Sequence, residues 1–144
     1  MRATKTCLSL LAAVVIVSVV NACAPQPSAE RIASADYGPM PEDPTSLAEY
    51  WVKRQLIDPE SARFVHGAIH KGYATRIDRG TEFGWVQCGT VDAKDRRGNY
   101  SGREWYFVTI SNGIVVQGIL DSSAHHNVKR ARNVCSNVVG APIE

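Results

Sequence analysis

Between Lys5 and Glu30 the chain carries no charged side chain, and no acidic residue precedes Glu30 at all. It also lacks a long apolar stretch: Leu8–Val20 is 13 residues, short of the about 20 that a bilayer-spanning helix needs. That length instead falls within the about 7–15 residues of a secretory signal's apolar region, here preceded by Arg2 and Lys5. An excess of one charge sign is missing too. The precursor has 16 Lys+Arg against 14 Asp+Glu, and loss of Arg2 and Lys5 with the signal leaves 14 against 14. Bulk electrostatics therefore give no reason to expect a nucleic-acid or anionic-membrane partner. No internal repeat is present, which excludes an array architecture. The remaining chain, about 120 residues, suffices for one domain with a modest core.

Cysteines are few as well, four in all, and they fall into three groups. Cys7 lies in the signal. Cys23 closes Val20-Asn21-Ala22-Cys23, directly after the apolar run and before Ala24-Pro25-Gln26-Pro27. This tetrapeptide resembles the lipobox of bacterial lipoproteins, Leu-(Ala/Ser)-(Gly/Ala)-Cys, with Val20 and Asn21 as departures. The resemblance implies a signal over residues 1–22, acylation of Cys23, and attachment to the cell envelope through that lipid. Ala24 after the cysteine, rather than Asp, implies sorting to the outer membrane, facing the periplasm. The alternatives are an ordinary signal cut after Ala22 or Ala24, and an uncleaved anchor from Thr6 to Cys23. The third group, Cys88 and Cys135, would mature in an oxidising envelope where disulfides persist. A Cys88–Cys135 bond is expected, and is worth about 2–4 kcal/mol.

Pro25, Pro27, Pro39 and Pro41 punctuate a stretch of mostly small or polar residues, so residues 23–42 read as a flexible tether. The folded domain, residues 43–140, opens on Asp43-Pro44, an N-cap followed by the N1 proline. Leu47, Ala48, Trp51, Val52 and Leu56 share a helical face, and the helix is expected to run to about Ile57. Asp58-Pro59-Glu60-Ser61-Ala62 suits a short second turn. Strands are expected from Arg63, over Phe83–Ala93 and over Arg103–Ser111. Asn112-Gly113 then links Ile110 to Ile114-Val115-Val116, the strongest short hairpin signal. Ser122 or Ser123 opens a last helix through Ala131, Cys135 and Val138. The fold class expected is α+β: an N-terminal helix, a three- to four-stranded antiparallel meander, a C-terminal helix and one disulfide.

Ile57-Asp58-Pro59-Glu60-Ser61-Ala62-Arg63-Phe64, Cys88-Gly89-Thr90-Val91-Asp92-Ala93-Lys94 and Gly98-Asn99-Tyr100-Ser101-Gly102 together resemble a group of small exported bacterial and phage-associated proteins. Their pattern is Asp-Pro-x-Ser-Ala-x-Phe, then Cys-Gly-x-Val-Asn-Ala-Lys-Asn, then Gly-Gly-Tyr-x-Gly, with a late cysteine. Asp92 and Asp95 stand where the group often has Asn, and Arg96-Arg97 replace its usual pair. The resemblance spans scattered patches over residues 50–138; it supports the domain limits and the disulfide and implies no activity.

Residues that could do chemistry are scattered. His66 and His70 have the spacing of a helical zinc pair, yet the glycines around them argue for strand. His125 and His126 diverge by about 100° on a helix. Asp92, Asp95 and Asp121 could supply a carboxylate pair, yet two of them lie at loop edges where turns alone favour Asp, and Ser122, His125 and Asp121 lack a nucleophile elbow. No metal, cofactor or catalytic set is expected. The loop Arg96-Arg97-Gly98-Asn99-Tyr100-Ser101-Gly102-Arg103 has the composition of a recognition tip, so Arg96, Arg97, Asn99, Tyr100 and Arg103 are the candidate interaction residues. The bland alternative is a glycine-shaped hairpin with Tyr100 folded back. Lys129, Arg130 and Arg132 form a basic stripe that suits a solvated helix face, with contact to peptidoglycan or an acidic partner as the alternative. The function expected is non-enzymatic: a lipid-anchored envelope protein that binds a protein partner, with inhibition of a hydrolase or phage-related factor, and then a small enzyme or metal-binding protein, as alternatives.

Overall fold

The computed structural model describes residues 26–76, 80–121 and 130–135. In chain order these form α1 (Ala29–Ala33), α2 (Pro44–Lys53), β1 (Asp58–Arg76), β2 (Gly80–Lys94), β3 (Glu104–Ser111), β4 (Ile114–Leu120) and α3 (Arg130–Cys135). The strands make one four-stranded antiparallel sheet in sequence order, β1-β2-β3-β4. This is the α+β meander expected, closed by the Cys88–Cys135 disulfide. The expected signal and Cys23 lie outside the described residues.

Local chemistry explains most element limits. Asp43 caps α2 by accepting from the Ser46 N–H at 2.9 Å, and Pro44 occupies the first turn, where no N–H is needed. The helix stops at Lys53 rather than near Ile57: Gln55 and Leu56 bond back only three residues, to Val52 and Lys53, which tightens and ends it. Asn112 and Gly113 have φ of 50° and 76°, the pair of positive values that a two-residue hairpin of the right twist requires.

Two further expectations are corrected. Asp58–Ala62 is not a second helical turn but the irregular start of β1, paired at Asp58↔Lys94. Ser61 holds it there, its hydroxyl donating to the Asp58 carbonyl at 2.8 Å and accepting from the Lys94 N–H at 2.9 Å. Pro59 is tolerated because β1 is an edge strand. The stretch expected to be a structureless tether carries α1, capped by Ser28, and then lies on the sheet. Tyr37 packs edge-on against Phe83 at 5.6 Å, Arg31 sits over the Phe83 ring, and Trp85 donates its indole N–H to the Gly38 carbonyl at 3.2 Å. The last helix is described only over Arg130–Cys135; Ser122, Ser123 and Val138 lie outside the described residues.

The two faces of the sheet are covered by different helices. On one, Ala48 and Val52 of α2 pack on Val91, Tyr106, Val108 and Ile110, flanked by Trp51, Phe64 and Leu120. On the other, Ala131 and Cys135 of α3 pack on Val86, Cys88 and Phe107. Asp121 fixes the start of α3, its two carboxylate oxygens accepting from the Ala131 and Arg132 N–H groups at 2.8 and 2.9 Å.

Candidate functional site

Two places gather polar side chains with defined geometry. The first joins α2 to the sheet. The Glu49 carboxylate lies 2.9 Å from His66 Nε2, and His66 Nδ1 lies 2.6 Å from the Tyr106 hydroxyl. An ionised carboxylate can only accept, so Nε2 carries a hydrogen, and in the neutral ring Nδ1 is then left to accept the phenol proton. His66 is stacked on Phe64 at 5.5 Å with 10° between the planes. Lys53 completes the outer end with an ion pair to Glu49 at 3.7 Å.

The arrangement has the order of a carboxylate–histidine–hydroxyl relay, but its hydroxyl end is closed. Tyr106 is 0% exposed, and its ring and hydroxyl press on Gly89, where an added Cβ would lie 2.3 Å from Cζ and Oη. A relay that ends inside the core pins α2 to β3 and offers no substrate an open nucleophile. Burial, then the charge of Glu49, pushes the Tyr106 phenol well above its ordinary value. The sign follows. Raised in the folded state, this group contributes stability that is complete below the unfolded-chain value of about 10 and is lost as pH climbs past it. Of the five tyrosines, Tyr106 is expected to stay protonated in a spectrophotometric titration at 295 nm until the domain unfolds in alkali. A titration in which all five ionise together in the folded protein would contradict this.

His66 and His70 do not meet. Between His66↔Gly89 and Ile69↔Gln87, β1 advances three residues against two on β2. This bulge turns the strand's phase over. His66 faces α2, while His70, opposite Val86, faces the α3 side, its Nδ1 buried without a hydrogen-bond partner. Among the described residues no group of His, Cys, Asp and Glu is arranged to hold a metal. His125, His126, Ser122 and Lys129 lie outside the described residues. Asp92 accepts from the Gly102 N–H, and Asp121 caps α3; both do backbone work.

The second place is the loop between β2 and β3. The Asp95 carboxylate accepts from the Arg97 and Asn99 N–H groups at 2.8 and 3.0 Å, the Asp95 carbonyl accepts from Gly98, and Asp95 N–H donates to the Asn99 carbonyl at 2.8 Å. Gly98 supplies the positive φ of 80° that the turn needs. Arg96, Arg97, Asn99 and Arg103 are left exposed. Tyr100 is not part of that exposed set. It folds back on β1, donating to the Ser61 carbonyl at 3.2 Å, with the Arg63 guanidinium 4.0 Å above its ring.

The Glu49–His66–Tyr106 chain was not legible as a unit, because Glu49 sits 17 residues and Tyr106 40 residues from His66. The one available signal was a histidine in a strand flanked by glycine, which did not name its partners. In comparisons with known proteins, no family model, no curated protein and no solved structure matches this chain.

Proposed function

We propose that this chain is a lipid-anchored cell-envelope protein, held through Cys23 and facing the periplasm from the outer membrane, that works by binding a protein partner rather than by catalysis. The observation that supports the binding role is the tip around Asp95: its internal hydrogen bonds hold Arg96, Arg97 and Asn99 outward before any partner arrives. Preorganisation lowers the ordering cost of docking, and exposed guanidinium groups suit a partner surface rich in carboxylates. The closed hydroxyl end of the Glu49–His66–Tyr106 chain fits the same reading.

Because Tyr100 is turned inward, a photo-crosslinking side chain belongs at Asn99. In intact cells, one dominant protein adduct from that position is expected, falling by roughly tenfold in the R96E/R97E variant. A diffuse set of adducts, or a dominant adduct indifferent to both charge reversals, would sink the loop as the docking element. A cell-wall hydrolase as the dominant adduct would turn the reading from assembly to inhibition.

A further inference from the structure

The sheet has two edges, and they are built differently. Along β1 the edge is broken by Pro59 and by irregularities between Asp58 and Arg63 and between His66 and Ile69, and it carries Arg63 and Lys71. Prolines, bulges and charges are the devices that keep a sheet edge from pairing with another chain. β4 has no proline and no charge, and its one irregularity, between Thr109↔Gln117 and Ile110↔Val115, lies toward the Ile114 end and leaves Gly118–Leu120 in regular register: Ile114–Leu120 reads Ile-Val-Val-Gln-Gly-Ile-Leu, with Ile114 63% exposed. Among the described residues, no strand pairs with its outer side.

The backbone there is aimed outward. The Asp121 N–H donates to the Trp105 carbonyl, and the register continues Tyr106↔Leu120, Phe107↔Ile119, Val108↔Gly118. In an antiparallel pair the bonded positions alternate, so the amides of Gly118 and Leu120 point away from β3. An open groove of about 470 Å³ runs along these residues, lined by Trp51, Gln55, Gly118, Ile119, Leu120 and Arg130. Its two walls differ in chemistry because α2 and α3 cover opposite faces of the sheet. On the α2 side the Trp51 indole lies flat on Gly118, where a Cβ would come within 2.3 Å of the ring. On the α3 side stands the exposed Arg130. The nearest carboxylate in sequence, Asp121, has both oxygens bonded to the Ala131 and Arg132 N–H groups.

We propose that this edge receives an extended peptide segment of a partner protein as a fifth strand, with apolar side chains on the Trp51 wall and acidic side chains on the Arg130 wall. A strand presents alternate side chains to opposite faces, so a sequence alternating apolar with Asp or Glu satisfies both walls at once. Main-chain bonds to Gly118 and Leu120 supply affinity, and the two walls supply selectivity. This surface is separate from the Arg96–Arg103 tip and stands or falls without it.

The test uses the full-length chain in detergent and a pool of blocked seven-residue peptides, with Val, Leu, Ile or Phe at odd positions and Asp or Glu at even ones. A second pool has Lys or Arg at the even positions. The acidic pool is expected to be retained roughly tenfold better, with amide hydrogen exchange slowed at Gly118 and Leu120. Arg130→Glu, at an exposed position, is expected to invert the preference between pools, and Arg130→Lys to keep it. Equal retention of the two pools, indifference to Arg130→Glu, or protection along β1 would overturn the proposal. So would Gly118 and Leu120 amides already protected in a concentration-dependent dimer, since a second copy would then occupy the edge.

Discussion

Replacing both Cys88 and Cys135 by alanine is expected to lower the unfolding free energy by about 2–5 kcal/mol, measured by urea denaturation against the oxidised parent. The bond joins β2 to α3 across a sequence separation of 47 residues, and both side chains are at or below 1% exposure. α3 as described is six residues, far below the about 12–15 at which an isolated helix becomes even marginal in water. Its position therefore depends on the disulfide and on the Asp121 cap. Once the bond is gone, Val86 and Phe107 lose their cover on that face. Against a total stability of about 5–15 kcal/mol for an ordinary domain, the loss leaves a protein at the edge of folding. A loss below about 1 kcal/mol would mean that the bond restrains the unfolded chain little and that packing alone holds α3.

Tyr106 is the second position with a large expected effect. Tyr106→Ala removes the largest fully buried side chain among the described residues and is expected to cost about 3–5 kcal/mol, as for other large aromatic truncations. Tyr106→Phe keeps the ring and deletes the proton that His66 Nδ1 accepts; because His66 is partly exposed and water can reach it, about 1 kcal/mol is expected. Gly89→Ala approaches the same ring from below, and overpacking there is expected to cost about 1–3 kcal/mol. All three are read from denaturation midpoints at constant slope. Equal losses for the Phe and Ala variants would assign the whole effect to the hydroxyl and refute the packing account.

What the sequence made legible were features whose causes are local. Asp43-Pro44 announces a helix start because cap and proline act within one turn, and Asn112-Gly113 announces a hairpin because two positive φ values need those residue types. The disulfide was legible for a different reason, since Cys88 and Cys135 are the two cysteines left once Cys7 falls in the signal and Cys23 in the lipobox. The misread elements have distant causes. Asp58–Ala62 has turn chemistry, but pairing with Lys94 through Ser61 overrides it. The bulge between His66 and Ile69 inverts a two-residue period that no composition cue marks, which is why His66 and His70, four residues apart on one strand, face opposite sides of the sheet. Four prolines made the 23–42 stretch read as a spacer, although Tyr37 and Arg31 find Phe83 about 50 residues later. At the β2–β3 loop, composition picked out the exposed arginines, and the inward turn of Tyr100 depends on Ser61 and Arg63.

The docking of α1 and Tyr37 on the sheet also sets a distance. If Cys23 carries the acyl chains, Ser28 lies five positions further on, and five residues span at most about 18 Å. The end of the sheet that holds Phe83 and Trp85 is then kept close to the lipid headgroups, instead of swinging on a leash of 20 residues. From Trp85 to Lys94 the second strand runs nine more residues, about 30 Å, before it reaches the turn at Asp95. The arginine tip would thus stand at the far pole of the domain, some 50 Å at most from the bilayer. On the proposed lipid-anchored reading, the sheet would be a fixed-length post that selects partners by their height above the membrane as well as by their charge.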